Sequence, residues 1–287
     1  MAASKLVLFL DWDETISAHD TLACIAPPDG THAGPHFGWY GDEYKRDLEE
    51  HERQFDRPRD TLDGQLAFLD SLDDVELRSQ ARIEDGGLFK GFDPEQMDER
   101  ARRQVTLRNG WAEAAAKRLA AEEVEHHIIS VGWSARFIRA ALGQSTHPTT
   151  ICANEVELDS DTKRGTGRLT KSNDVGAPGL SGIRVGSHKL REMKRLLNAR
   201  SRDSIMVLYA GDSNTDLPCL LEADYGLLLG DAAGLKKTLE RIGLSHLVSD
   251  TVDDWLQNKT KLVHVKDWVE GDRVLQACLS ACNRNSR

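Results

Sequence analysis

Leu6-Val-Leu-Phe-Leu-Asp-Trp-Asp-Glu-Thr15 is the stretch on which the fold turns. Five apolar residues run without a break into two carboxylates, Asp11 and Asp13, with Thr15 close behind. A short continuous apolar run of this kind reads as a strand buried on both faces, the habit of a parallel sheet. In open α/β sheets ligands bind beyond the carboxyl ends of the strands. Asp11 and Asp13 are therefore expected at the sheet edge where chemistry is done. Two acids held together repel, and a bound cation is the usual remedy. A calcium loop starting at Asp11 would need Gly at its sixth position and Glu at its twelfth. Ile16 and Leu22 stand there instead, which excludes it. A helix cap would explain one carboxylate but not two.

Working outward, apolar runs recur at 127–131, 149–156, 204–209 and 225–229. Helical patterns lie between most of them. Residues 111–124 are rich in Ala, Glu, Lys and Arg. Residues 134–142 place Phe137, Ile138, Ala141 and Leu142 on one face, and 189–199 do the same with Leu190, Met193, Leu196 and Leu197. Alternating strand and helix predicts an α/β fold, a doubly wound, Rossmann-like parallel sheet covered on both faces. Residues 17–107 break the alternation, being densely charged without a strand pattern. Helical candidates fall at 42–53, 60–72, 74–83 and 94–107, punctuated by Pro27-Pro28-Asp29-Gly30 and Asp85-Gly86-Gly87. The expected organisation is a core of residues 1–16 and 109–287 with an all-helical cap, 17–108, inserted after the first strand. Residues 154–170 read as a short β-excursion. Beyond Gly230, a helical pattern at 235–243 precedes 254–281, where Trp255, Trp268, Leu275 and Leu279 offer a packing face without chemistry.

Composition narrows the function. A formal net charge of -10 over 287 residues argues against binding to nucleic-acid backbone. Five cysteines, without a C-x-x-C pair, suggest a reduced protein rather than a disulfide scaffold or zinc site. No apolar run approaches the roughly 18 residues of a membrane span, and the run at 6–10 is too short for a signal-peptide core. A cytoplasmic protein without membrane partners is expected; the oligomeric state is left open.

A second acidic cluster, Gly211-Asp212-Ser213-Asn214-Thr215-Asp216, follows the apolar run 205–209 as Asp11 follows the first. Gly-Asp-Ser in isolation is equally a turn with a helix cap. Its recurrence at a second strand end favours chemistry, because adjacent parallel strands bring Asp11 and Asp212 together. Such hard oxygen donors suit Mg²⁺, normally held by one or two carboxylates plus substrate phosphate. Ser130 ends the second apolar run, and Val131-Gly132-Trp133-Ser134 leads into a helix, a place where a hydroxyl and free N–H groups bind anions. Lys189, opening a helix, would neutralise carboxylates and bind phosphoryl oxygens.

Taken together, Asp11-x-Asp13-x-Thr15, Ser130, Lys189 and Gly211-Asp212-Ser-x-x-Asp216 resemble, in order, the four motifs of the haloacid dehalogenase (HAD) superfamily. The helical insert, and Cys152-Ala-Asn-Glu-Val-Glu-Leu followed by Gly167-Arg-Leu-Thr, resemble the phosphoserine phosphatase-like group within it. The resemblance implies roles. Asp11 is the nucleophile that forms an aspartyl-phosphate. Asp13 is general acid and then base, positioned by Thr15, and lends its backbone carbonyl to the metal. Ser130, with Gly132, and Lys189 hold the phosphoryl group. Asp212 ligates Mg²⁺ with Asp11 and Asp13, and Asp216 orients Lys189 and the metal shell. Asp13 also separates phosphatases from dehalogenases, which lack an acid there.

The resemblance leaves the substrate less defined. Asp20 stands where that group's cap carboxylate reads a substrate amine, and it is equally placed to cap a helix starting at Thr21. Arg46, Arg53, Arg57 and Arg59 are candidates for reading a substrate carboxylate. Thr215 replaces an Asn that contacts phosphate in that group. Two aromatic segments, His36-Phe-Gly-Trp-Tyr40 and Gly87-Leu-Phe-Lys-Gly-Phe92, either line an apolar substrate site or anchor cap helices to one another. The expectation is a Mg²⁺-dependent phosphomonoester hydrolase of a small phosphorylated metabolite. The alternatives are a phosphotransferase using the same intermediate, and a catalytically idle HAD-like ligand-binding or partner protein.

Overall fold

The computed structural model describes residues 5–144, 146–198 and 205–285. Among them are strands β1 (Lys5–Leu10), β2 (Glu125–Ile129), β3 (Thr150–Cys152), β4 (Asn154–Leu158), β5 (Gly165–Lys171), β6 (Ile205–Gly211), β7 (Tyr225–Leu229), β8 (Val248–Ser249) and β9 (Leu262–Val265). Seven form one sheet in the order β3-β2-β1-β6-β7-β9-β8, and every pairing in it is parallel. The chain moves outward from β1 through β2 to β3, then crosses back to lay β6 on the other side of β1. The strand order therefore reverses at β1 and β6, where α/β sheets place their ligands.

β1 shows why the sheet is covered twice. Leu6, Leu8 and Leu10 enter one core with Ile128, Leu208 and Trp268. Val7 and Phe9 enter the opposite core with Ile129, Val207 and Met193. Successive side chains point to opposite faces, so an unbroken apolar run needs apolar cover on both sides.

The segment 17–108, expected as a cap, holds α1 (Leu22–Ile25), α2 (Phe37–Gln54), α3 (Leu62–Ser71), α4 (Asp73–Asp85) and α5 (Pro94–Gln104). The two connections between these helices and the sheet lie side by side: Ser17 bridges Leu107, and Arg108 N–H donates to the Ile16 carbonyl at 2.8 Å. Around the sheet lie α6 (Ala116–Ala121), α7 (Ala135–Leu142), α8 (Gly186–Leu197), α9 (Leu217–Glu222), α10 (Ala233–Arg241), α11 (Val252–Asn258) and α12 (Trp268–Asn285). Ion pairs fasten the helices of segment 17–108 to the rest of the chain, among them the following two. Arg136 on α7 meets Asp98 on α5 at 2.7 Å, and Arg184 meets Asp73 at the start of α4 at 2.6 Å.

Three expectations are corrected. The run 149–156 is two strands, β3 and β4, which pair with different partners on either side of Ala153. The stretch 254–281 contains β9, a four-residue strand too short to show a period and interrupted by His264. Residues Trp111–Ala115 form a π-helical turn rather than the start of a regular helix. That turn follows Gly110, whose φ is +78° and where a Cβ would lie 2.4 Å from the Val269 nitrogen. The predicted ends at Ser204 and Ala199 lie outside the described residues. No described helix is long and apolar enough to cross a membrane.

Candidate active site

β1 and β6 run in register, with Leu10 opposite Ala210, and Asp11 N–H donates to the Ala210 carbonyl at 2.9 Å. Asp11 and the Asp212 cluster thus leave the sheet side by side. A Cβ on Gly211 would fall 2.3 Å from Asp216 Cγ, so glycine is what lets Asp216 fold back over the end of β6. Lys189, on the first turn of α8, reaches the same point and is 0% exposed. Its Nζ lies 2.8 Å from Asp11 Oδ1 and 2.8 Å from Asp216 Oδ1. Tyr209 on β6 donates its hydroxyl to Asp216 Oδ1 at 2.7 Å. The backbone N–H groups of Asp212 and Ser213 donate to Asp216 Oδ2 at 3.2 and 3.1 Å. Asp216 is therefore fully occupied as a structural acceptor.

One lysine faces several carboxylates, and the imbalance shows in their protonation. Burial and then Asp216 push Asp11 up to about 7, against the pull of Lys189. Burial, Asp216 and Asp11 push Asp212 up to about 9. Burial by itself lowers the Lys189 ammonium, but Asp11 and Asp216 reverse this and hold it above its ordinary value. Oxygens of Asp11, Asp212 and Asp216 lie within 4.8 Å of one another. An all-oxygen donor set with surplus negative charge fits a hard divalent cation such as Mg²⁺. With Asp216 engaged, Asp11 and Asp212 are the carboxylates open to it.

Asp13 is held apart from this cluster. Its Oδ1 accepts from Thr21 N–H at 2.8 Å and from Thr21 Oγ1 at 2.6 Å. Thr21 Oγ1 in turn accepts from Trp12 Nε1 at 3.0 Å, which fixes its hydroxyl on Asp13. Burial raises Asp13 to about 6 while the Thr21 hydroxyl opposes that rise. Thr15 is not the residue that positions Asp13: its hydroxyl donates to Asp212 Oδ1 at 3.2 Å. The Asp13 carboxylate, turned to Thr21, does not join the metal-like oxygens. The backbone around Thr15 is locked from the far end of the chain, where Trp268 Nε1 donates to the Thr15 carbonyl at 2.9 Å.

Ser130 follows β2 and is fully buried, its Oγ accepting from Gly132 N–H at 2.9 Å. The hydroxyl hydrogen is thereby left for another acceptor. A Cβ on Gly132 would sit 3.0 Å from Ser130 Oγ and 3.6 Å from Asp13 Oδ2. The missing side chain leaves space between the serine and the acid, ahead of α7. Asn154 braces this loop: its Nδ2 donates to the carbonyls of Val131 and Ile183 at 2.9 and 2.8 Å, and its Oδ1 accepts from Ile183 N–H at 2.8 Å.

Beyond the loop lies a cavity of about 330 Å³ between cap helices and the sheet edge. Asp20 and Thr215 both line it. Asp20 also accepts from Leu22 N–H at 2.8 Å, but α1 starts at Leu22 and its cap position is Thr21, not Asp20. Phe37 and Tyr40 line the cavity, whereas residues 87–92 do not. Phe89 instead packs edge-on against Trp133, 5.8 Å between centroids, and anchors that wall from behind. None of Arg46, Arg53, Arg57 and Arg59 lines the cavity. Arg46 pairs with Glu43 and Arg53 with Glu50 on the face of α2, and Arg59 pairs with Glu52.

The HAD haloacid dehalogenase-like hydrolase family matches residues 8–221, from β1 through α9. The chain belongs to this family. This HAD-like hydrolase is 28% identical over 232 residues to a CTO1 family protein of Schizosaccharomyces pombe, covering 78% of this chain and 81% of the relative. Among solved structures it is similar to cytosolic 5'-nucleotidase IIIB bound to cytidine, with a TM-score of 0.55, 12% identity and coverage of 99% and 87% of the two chains. A phosphoserine phosphohydrolase-like protein from Francisella tularensis gives a TM-score of 0.50 at 17% identity, with coverage of 94% and 99%. At these identities the likeness is one of fold.

Within the HAD-like site, sequence reading missed Thr21, Tyr209, Asn154 and Arg184. Thr21 and Tyr209 carry no local pattern, since their partners depend on tertiary placement. Asn154 had a usable signal, a single amide-bearing side chain between the run 149–153 and the alternating Glu-Val-Glu-Leu that follows it. Arg184 sits in a loop of mixed composition and shows its place only through Asp73.

Proposed function

We propose that this HAD-like hydrolase is a Mg²⁺-dependent phosphomonoester hydrolase that acts on a small phosphorylated metabolite through an aspartyl-phosphate on Asp11. The observation that carries the reading is the buried Lys189 bridging Asp11 and Asp216, with Asp13 held separately by Thr21. Both donors to Asp11 meet Oδ1, and the other oxygen is the one suited to attack phosphorus. As the P–O ester bond breaks, Asp13 gives its proton to the leaving alcohol. It then takes a proton from the water that attacks the aspartyl-phosphate, releasing inorganic phosphate. A carboxyl raised to about 6 serves both directions near neutral pH. Ser130, the Gly132 N–H side of the loop and Lys189 hold the phosphoryl oxygens during transfer. Asp11 and Asp212 would hold Mg²⁺, with the Asp13 carbonyl that the family resemblance adds. That ion would offset phosphoryl charge and the mutual repulsion of the acids.

Phosphate release from an aryl phosphate, with Mg²⁺ and with chelator, tests the reading. Asp11→Asn keeps the shape of the side chain but not its nucleophilicity, and turnover is expected to fall below a few per cent of wild type. Retention of a larger rate by that variant sinks the mechanism, and full activity in chelator sinks the metal assignment.

A further inference from the structure

We propose, resting on the phosphatase reading, that the cavity under the cap selects phosphate esters whose leaving alcohol is a small flat ring carrying a positive charge and no carboxylate. The cavity holds about 330 Å³, at the lower end of small-molecule sites, which limits the leaving group to a ring with a short arm. Its walls include the rings of Phe37, Tyr40, Tyr44 and Trp133. Phe37 stands edge-on to Trp133 at 6.0 Å between centroids, and such ring faces favour flat and cationic groups.

Charge gives the sign. Glu76 and Asp20 line the cavity. Tyr44 donates its hydroxyl to Glu76 Oε1 at 2.7 Å, which supplies a hydrogen bond but no countercharge. The charged groups acting on Glu76 are Asp73 and Arg184, and these two are already bonded to each other. Arg184 Nε and Nη2 meet the two Asp73 oxygens at 2.6 and 3.3 Å. Among the described residues, Arg184 is the one cationic side chain lining the cavity, and its charge is spent on Asp73. A substrate carboxylate would meet two acids and no available cation, whereas an ammonium would meet Glu76 across aromatic walls. Glu76 is half-buried, and a carboxylate drawn out of water beside a cation already bonded to another acid is costly; a cationic leaving group supplies a partner of its own.

Three aryl esters that differ at one place test this. They are 4-methylphenyl phosphate (neutral), O-phosphotyramine (adding an ammonium arm) and O-phosphotyrosine (adding a carboxylate to that arm). Wild type is expected to show kcat/KM about tenfold or more higher for O-phosphotyramine than for 4-methylphenyl phosphate. O-phosphotyrosine should fall below both. In Glu76→Gln, the ratio of O-phosphotyramine to 4-methylphenyl phosphate should fall towards one. Equal rates on all three esters, or a ratio unchanged in Glu76→Gln, would overturn the selectivity. Asp11-dependent hydrolysis of 4-methylphenyl phosphate would leave the phosphatase reading standing in that case. No hydrolysis of any of the three overturns both. The wild-type series alone decides the charge preference should the variant fail to fold.

Discussion

Thr21 donates its hydroxyl to Asp13 at 2.6 Å while accepting the Trp12 indole N–H at 3.0 Å, so the Trp12 indole sets, through Thr21, the orientation of the neighbouring Asp13 carboxylate. The indole fixes the hydroxyl, the hydroxyl fixes one carboxylate oxygen, and the other oxygen faces the space beside Gly132. Thr21→Val keeps the shape and removes both bonds to the hydroxyl. Turnover of an aryl phosphate is expected to drop about tenfold to a hundredfold through kcat, with KM little changed. A variant with wild-type kcat would show that Asp13 does not need this support.

Among the described residues, Lys189 is the cation that pairs with both Asp11 and Asp216, and it is completely buried. Replacing a buried charge that holds two opposite charges leaves those uncompensated, at a cost of about 3–5 kcal/mol. Lys189→Met should therefore be inactive and also lower the urea midpoint by a large step. A midpoint within error of wild type would mean that the acids are neutralised by other means in the folded chain.

Gly132 makes a different prediction because its backbone is not in the left-handed region. Alanine there costs little in conformation, yet its Cβ would lie 3.0 Å from Ser130 Oγ and 3.6 Å from Asp13 Oδ2. Gly132→Ala is expected to melt within a few degrees of wild type while kcat/KM falls at least about tenfold. It should also weaken competitive inhibition by inorganic phosphate. Unchanged inhibition by phosphate would place the phosphoryl group elsewhere.

Much of this was legible in the chain because the signals are local. An apolar run buried on both faces announces β1, and acids at the ends of two such runs announce a shared edge. Ser130, Lys189 and Asp216 follow, since their neighbours in sequence are strand ends and helix starts. What stayed hidden depends on tertiary placement. Thr15 and Thr21 are both hydroxyls a few residues after Asp13, and the turn beyond Trp12 decides which one reaches the acid. β9 is too short to declare a period. The cap arginines looked suited to a substrate carboxylate because charge on a helix carries no direction in sequence. In the folded chain Arg46, Arg53 and Arg59 pair with acids of α2, and the cavity's cation, Arg184, comes instead from a loop before α8.

Glu76 links the cavity to stability. Burial raises its carboxyl above the ordinary value of 4.5, outweighing the hydrogen bond from Tyr44. The folded chain thus holds that proton more tightly than the unfolded chain does. The contribution to stability is complete below pH 4.5 and is lost as pH rises through the raised value in the fold. Glu76→Gln keeps an oxygen for the Tyr44 hydroxyl and removes the titration. The variant should gain stability relative to wild type between about pH 4 and about pH 7, seen as a widening difference in urea midpoints. Other acids titrate in both proteins, so the difference isolates this one. A difference that is the same at both pH values would show that Glu76 is ionised at no cost. A gain at neutral pH, together with loss of preference for a cationic ester, would mean that the chain keeps a destabilising acid for what it binds.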